Sequence, residues 1–371
     1  MNGTGISPVR DRRALSEFLS FPYDLYRGHP YWVPPLRATQ KELFDRAKHP
    51  FYKHAEVEFF LARQGGRVVG RIAGIFDRNH NQFHGENAGF FGFLEAVEDQ
   101  GVFDGLLNTA RQWLRERGAE VVRGPMNPST NYECGMLVDG FDSSPVVMMT
   151  YNPPYYPRLV ERAGLRKVKD LYAYFLTSEV VSREKAERTA NHHLASGRVR
   201  IRPIRMNEFS SEVDRVWSVY NSAWSQNWGF VPMTREEFAF LARDMKTILK
   251  PELVLLGEVN QQVVGFALAL PDVNQALKRA GGRLFPFGLL KILYHQRKIR
   301  TARVVVLGVL EQYRTRAIAA AFYAELVRNG LKLGYDSAEM SWVLEDNVLM
   351  NRSIEALGAK PYKTYRVYEW S

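Results

Sequence analysis

The sharpest chemical signal in the chain is a passage from strand to helix. Residues Val304-Val305-Val306-Leu307-Gly308-Val309 form an apolar run, a turn then carries Arg314 and Arg316, and a helix opens on Ala317, Ile318 and Ala319. The first peptide N–H groups of a helix have no partner inside it, so they converge on an anion placed there. With two arginines beside them they make a phosphate cradle, whose candidate residues are Leu307, Val309, Arg314, Thr315, Arg316, Ala317, Ile318 and Ala319. Neither GxxxxGK[ST] nor GxGxxG occurs at this strand end, so it is not a nucleoside-triphosphate loop or a dinucleotide fingerprint. On the next predicted strand Glu339 and Ser341 alternate with Met340, and Glu345 follows at its end. Glu345 and Glu339 can accept a proton, and Ser341, Tyr365 and Tyr362 carry hydroxyls that can donate one. The plain alternative is a polar strand end.

Other segments carry weaker signals. Asn227, Trp228 and Phe230 follow the amphipathic run Phe209 to Trp224 and suit either acceptor recognition or core packing. The long polar stretch Asn127 to Asp142, with Asn131 and Glu133, precedes the pair Tyr155-Tyr156; together these are candidates to line an acceptor cleft between lobes. Residues 283–300 join an apolar run to a basic one. They read as a helix packed on its own domain, with a lid over an acyl chain or a peripheral membrane contact as alternatives. His80 and His84 lack the glutamate of HExxH, and Cys134 is the single cysteine, so no metal is expected.

The elements that must position these residues occur twice. FFLARQGGRVVGRIA from Phe59 parallels VLLGEVNQQVVGFAL from Val254, with Val68-Val69-Gly70 matching Val263-Val264-Gly265. LVERAGLRKVKDLYAYF from Leu159 parallels SIEALGAKPYKTYRVYE from Ser353 at nearly the same offset. Each half reads as hairpin, strand, helix, strand, helix, strand, and two matches at one offset mean a duplicated unit. The fold class is therefore mixed α/β (α+β) in two lobes, 1–177 and 198–371, joined by a charged helical linker over 178–197.

The chain has 371 residues, 46% of them hydrophobic and 24% charged, which excludes long disorder and collagen-like structure. No apolar stretch approaches the roughly 18 residues of a bilayer crossing, and the start does not read as a secretory signal. With one cysteine, a reducing, cytoplasmic setting is expected. Net charge is +10, and from Lys278 to Arg316 ten basic residues face the one acid Glu311. Such a block is a solvated face or the footprint of coenzyme phosphates, nucleic acid or an anionic membrane.

At the phosphate cradle the sequence resembles the GNAT superfamily of acyl-CoA-dependent N-acyltransferases. The family's loop reads Gln/Arg-x-x-Gly-x-Gly/Ala, and Arg314-Thr315-Arg316-Ala317-Ile318-Ala319 fits it except at Ala317. The family's later helix is matched by Asn347, Glu355, Leu357 and Gly358. The first lobe looks like a degenerate copy, with Glu98-Asp99-Gln100-Gly101 where the loop belongs, and the whole chain is similar to bacterial tandem-GNAT proteins. The resemblance implies two lobes of mostly antiparallel mixed sheet, acetyl-CoA or another acyl-CoA as cosubstrate, Asn347 and Asn351 near it, and an amine acceptor. Attack on the thioester would need an oxyanion donor on the strand near Val309 and a base. Ile354 stands where the family commonly has a tyrosine that protonates the leaving thiolate. Aminoacyl-tRNA-dependent transfer of the twin-lobe type, with RNA phosphates on the basic block, and a non-catalytic acyl-CoA or protein-binding module are the alternatives.

Overall fold

The computed structural model describes residues 3–180, 184, 188, 199–314 and 316–370. The linker expected over 178–197 lies almost wholly outside them. From the N-terminus come β1 (Gly5–Pro8), α1 (Arg12–Leu25), α2 (Arg37–Leu43), β2 (Ala55–Gln64), β3 (Arg67–Asp77), α3 (Arg78–His84) and β4 (Ala88–Ala96). There follow α4 (Gln100–Arg115), β5 (Val121–Gly124), β6 (Met126–Asn127), β7 (Glu133–Cys134), β8 (Met136–Asp139), α5 (Tyr156–Arg162) and β9 (Arg166–Thr177). Next are β10 (Arg200–Pro203), α6 (Phe209–Ala223), α7 (Arg235–Met245), β11 (Val254–Val259), β12 (Gln262–Pro271), α8 (Asn274–Ala280) and α9 (Gly288–Gln296). The chain ends with β13 (Thr301–Val309), α10 (Arg316–Lys332), β14 (Ser337–Leu344), α11 (Val348–Glu355) and β15 (Lys360–Trp370).

Two compact units form, and they are not simple halves of the chain. The first holds Met1–Leu171, Leu277–Ile292 and Lys363–Ser371; the second holds Tyr172–Ala276 and Leu293–Tyr362. In the first, β1 to β5 lie side by side in chain order, antiparallel except for the parallel pair β4–β5. The end of β15 then adds to β5 and β8, through Tyr368↔Gly124 and Arg366↔Met136. The second unit repeats the pattern as β10, β11, β12, β13 and β14, again with only its last pair parallel.

Register confirms the duplication read from Val-Val-Gly. Ala62 pairs with Gly70 in one hairpin and Gly257 with Gly265 in the other, both displaced by 195 (257 − 62 and 265 − 70). The repeated glycine has a packing cause. A Cβ on Gly70 would lie 2.7 Å from Leu106 of α4, and one on Gly265 2.8 Å from the Gly308 carbonyl of β13 and 3.2 Å from Phe322 of α10, so a large helix side chain lies over each strand where it yields room. The α4 face Val102, Phe103, Leu106, Leu107, Ala110 and Leu114 is buried in the first core, at the helical spacing that buries one stripe. Ile318, Phe322 and Leu326 of α10 do the same in the second.

Candidate active site

In the second unit β13 and β14 pair over Thr301↔Ser337, Ala302↔Ala338, Arg303↔Glu339 and Val304↔Met340. Their pairing stops there although β13 runs on to Val309 and β14 to Leu344, so the two strands part as a fork. A bulge marks the same place: against β12, Leu268 pairs with Val306 and Ala269 with Val304, leaving Val305 as an extra residue that bends β13. Val304, Val305, Val306 and Leu307 are all half-buried, where a parallel strand is ordinarily covered on both faces.

A buried polar cluster sits at the closed end of the fork. Arg303, Glu339 and Ser341 are 3%, 0% and 4% exposed, and Ser341 is the first β14 residue past the last pair. Glu339 accepts hydrogen bonds from the Ser341 hydroxyl and from the Tyr362 hydroxyl. Arg303 donates from Nε to Ser341 Oγ at 2.9 Å and from Nη2 to the Ser341 carbonyl at 3.1 Å. A buried carboxyl group needs hydrogen-bond partners, and this one is joined to two hydroxyls that can relay a proton. Sequence reasoning named Glu339, Ser341 and Tyr362 but missed Arg303, which only the parallel register places opposite Glu339.

Glu345 lies half-buried just past β14. Its backbone carbonyl accepts from Asn351 Nδ2 at 3.3 Å, and the same amide reaches the Leu344 carbonyl at 3.0 Å. Asn351 Oδ1 accepts from the Tyr174 hydroxyl at 3.0 Å. Burial, and then the nearby Glu355 carboxylate, push that phenol up to about 12, which keeps it a donor. Asn347 caps α11 by accepting from the Met350 N–H at 3.2 Å. The two asparagines thus fasten α11 to the end of β14. Tyr365 belongs to the first unit, fully buried, and Glu339 to the second.

Beyond Val309 a short 3-10 turn, Glu311–Tyr313, leads to α10, which begins at Arg316 and has no acid in its first turn. Arg314 donates from Nε to the Val309 carbonyl at 3.3 Å and from Nη2 to the Ala223 carbonyl at 2.6 Å. Arg314, expected to face an anion, is exposed and links the turn to the end of α6 through these bonds. Thr315 falls outside the described residues; Arg316 and Ala317 open α10, Ile318 is buried and Ala319 half-buried. Leu307 and Val309 lie on β13, paired with Ala267 and Gly265. Over the strand end lies Trp224, so close that a Cβ on Gly308 would meet its ring at 1.9 Å. Phe230 is buried 5.7 Å from the Tyr220 ring, its N–H bonded to the Asn227 carbonyl at 3.1 Å, with Trp228 half-buried beside it.

The first unit has the same fork, filled. β4 and β5 pair over Ala88↔Val121, Gly89↔Val122 and Phe90↔Arg123 and then part, and β4 is bulged, with Phe93 at φ +49°. The short strand β6 enters the gap. A Cβ on Gly92 would lie 1.7 Å from the Met126 carbonyl, and Asn127 Oδ1 accepts from the Phe93 N–H at 2.6 Å. At the start of α4, Asp99 caps the helix through the Val102 N–H at 3.2 Å, placing a carboxylate where an anion would sit. The residues expected to line an acceptor cleft all lie in this unit. Glu133 pairs with Asn127 across β6–β7, and Asn131 bonds Ser129 Oγ through its N–H at 3.2 Å. Tyr155 donates to the Ala96 carbonyl at 2.7 Å and Tyr156 to Glu95 Oε2 at 2.9 Å.

No protein-family model matches the chain. It is 37% identical over 371 residues to the bacterial ceramide synthase of Caulobacter vibrioides (strain NA1000 / CB15N), covering 98% of this chain and 96% of that protein. It is 34% identical to protein YghO of Escherichia coli (strain K12), over 97% of this chain and 93% of that protein. Among solved structures, a tandem GNAT protein from the clavulanic acid biosynthesis pathway aligns with 99% of the chain and 98% of its own, at TM-score 0.56 and 13% identity. The chain belongs to the family of these two relatives and has the tandem GNAT fold. A glucosamine N-acetyltransferase region of a fungal β-N-acetylglucosaminidase shares that fold at TM-score 0.59 and 13% identity, over all of this chain and 38% of the other.

Within this tandem GNAT protein the departure at Ile354 has a packing reason. Ile354 is 1% exposed in a core cluster with Tyr174, Leu176 and Met340, so an aliphatic side chain fits where a phenol would have to be satisfied. Most of the basic block is exposed, with two of its arginines bonded within the second unit. Arg303 is buried and Arg314 is spent on two carbonyls.

Proposed function

We propose that the second unit binds an acyl-CoA in the fork between β13 and β14 and transfers its acyl group to the amine of an acceptor. One observation carries this reading: two parallel strands part beside a half-exposed apolar wall that leads to the start of a long helix with no acid in its first turn. An extended apolar and amide-bearing arm fits between parted strands, and a pyrophosphate fits a helix start. The residues that would hold the cosubstrate are Val304 to Val309 along the arm and Arg316 to Ala319 at the phosphates.

In this reading the acceptor nitrogen attacks the thioester carbonyl, and a backbone N–H on the fork side of β13 takes the developing oxyanion. The carbon–sulfur bond then breaks and free CoA leaves as a thiolate that takes a proton from water. The amine proton passes through the Ser341 or Tyr362 hydroxyl to the Glu339 carboxylate, which Arg303 helps to anchor through Ser341. The acceptor class follows from the Caulobacter relative. A ceramide is an N-acylated long-chain amino alcohol, so we take a long-chain amino alcohol as the first acceptor to test and a long-chain acyl-CoA as the donor.

Titration calorimetry with palmitoyl-CoA tests the donor site. Saturable binding is expected, weakened by at least about tenfold in Val306→Trp, which fills the fork, and in Arg316→Glu. Binding that neither variant alters sinks the assignment. Glu339→Gln is expected to keep that affinity and lose on the order of a hundredfold in kcat. A wild-type protein that binds palmitoyl-CoA but acylates no long-chain amine would be the non-catalytic module instead.

A further inference from the structure

Residues 283–298 put an apolar helix face into solvent. Of this stretch Phe285 is 81% exposed, Phe287 65%, Leu290 64%, Leu293 52% and Tyr294 59%. Residues 289, 290, 293 and 294 of α9 recur at the i, i+4 spacing that puts them on one side of the helix, and Phe285 and Phe287 are exposed in the turn that leads into it. The sequence read this segment as a helix packed on its own domain; the structure turns its apolar side outward.

The face is held rather than loose. Gly282, at φ +77°, leaves no room for a side chain, since a Cβ there would lie 2.6 Å from the Tyr23 ring and 2.9 Å from the Pro35 carbonyl. Its own carbonyl accepts from the Arg37 N–H at 3.1 Å. A Cβ on Gly288 would lie 1.7 Å from the Arg283 carbonyl, so the loop closes tightly on the helix start. Lys298 donates to the Tyr294 hydroxyl at 2.8 Å and sits 4.2 Å from its ring centroid.

The charge around the face has one sign. From Lys278 to Arg300 the chain has seven basic residues, Lys278, Arg279, Arg283, Lys291, Arg297, Lys298 and Arg300, and no acid. All seven are exposed. Phenylalanine and leucine side chains ringed by lysine and arginine match the boundary between acyl chains and anionic headgroups. A nucleic acid would use the charges and leave the leucines wet; a protein partner would have to bring both an apolar patch and an acidic rim, which one anionic bilayer surface supplies together. Among the described residues no helix is long and apolar enough to cross a membrane.

We infer that residues 283–298 dock this protein on an anionic lipid bilayer, the apolar face entering the headgroup boundary and the basic rim meeting lipid phosphates. The inference is independent of the acyl-transfer reading and is tested without turnover. Flotation is measured with vesicles of equal parts phosphatidylcholine and phosphatidylglycerol, and with pure phosphatidylcholine. The wild-type protein should float with the anionic vesicles and far less with the neutral ones. Phe285→Ser/Phe287→Ser/Leu290→Ser should abolish flotation, and Lys291→Gln/Lys298→Gln should weaken it about 25-fold, near fivefold for each charge removed.

These positions are exposed, so both variants should keep the wild-type melting temperature and palmitoyl-CoA affinity, which separates loss of docking from loss of fold or of the donor site. Wild-type protein that floats with neither vesicle overturns the inference, as does a triple-serine variant that floats unchanged. So would sedimentation velocity showing a wild-type dimer that the triple-serine variant breaks, because the face would then belong to a second copy.

Discussion

The two units share one scaffold and treat its most reactive feature in opposite ways. Each has a parallel strand pair that parts after three or four residues beside a bulge. In the first unit β6 fills the gap, Asn127 takes the Phe93 N–H, and Asp99 caps the following helix with a negative charge. In the second, among the described residues, no strand pairs with β13 on that side beyond Val304, and the first turn of α10 lacks an acid. A parted pair leaves backbone donors that must be satisfied by something. The first unit satisfies one of them from its own chain, through Asn127, while in the proposed reading the fork of the second would receive the cosubstrate.

The largest expected effect breaks the filled fork. Gly92→Ala puts a methyl group 1.7 Å from the Met126 carbonyl, and backbone cannot yield as a flexible side-chain tip can. A loss of about 3 kcal/mol in urea-unfolding free energy is expected, at the upper end of overpacking costs. Val305→Ala, at the bulge of the open fork, should cost under about 1.5 kcal/mol because that residue is already half-exposed. Equal costs at the two sites would mean that the forks are not filled differently.

A smaller effect sharpens the same contrast. Asn127→Ala removes the acceptor of the Phe93 N–H and leaves that donor buried without a partner, at about 2 kcal/mol. The variant should gain no affinity for palmitoyl-CoA, since the Met126 backbone still fills the gap and Asp99 still caps α4. New binding with the fold intact would show that a single side chain had been closing an otherwise functional second site.

Much of this was legible in the residues. Val-Val-Gly in both halves gave the duplication because each hairpin needs room there, under Leu106 in one and beside the Gly308 carbonyl and Phe322 in the other. Alternation along a strand placed Glu339 and Ser341 on one side before any coordinates did. Arg303 was not legible, because a parallel register between strands separated by a helix leaves no local mark. Asn127 read as loop for a similar reason: what makes it a plug is the carbonyl beside Gly92, one strand away. The face at Phe285 to Tyr294 shows the limit of periodicity, which says that a helix has an apolar side and nothing about whether protein or solvent lies against it. Residues 363–371 joining the first unit followed from no motif at all.

The smallest expected effect concerns the carboxylates. In the second unit Glu339 shares Ser341 with a buried arginine. In the first, Glu95 accepts hydrogen bonds from the Tyr26 hydroxyl at 2.6 Å and the Tyr156 hydroxyl at 2.9 Å. Burial raises its pKa above the ordinary 4.5, outweighing Arg71 and the two phenols, which act to lower it. The folded state therefore holds this proton at pH values where the unfolded chain has released it. Its contribution is fully present below about 4.5 and is lost as pH rises through the folded value. Carboxylates held low by arginine, such as Asp170 beside Arg366, pull the other way as pH falls, so the informative quantity is a difference. Urea midpoints of wild type minus Glu95→Gln should decline with rising pH across this window. A flat difference would mean that Glu95 is already ionised in the folded protein across this window, and that burial does not govern its proton.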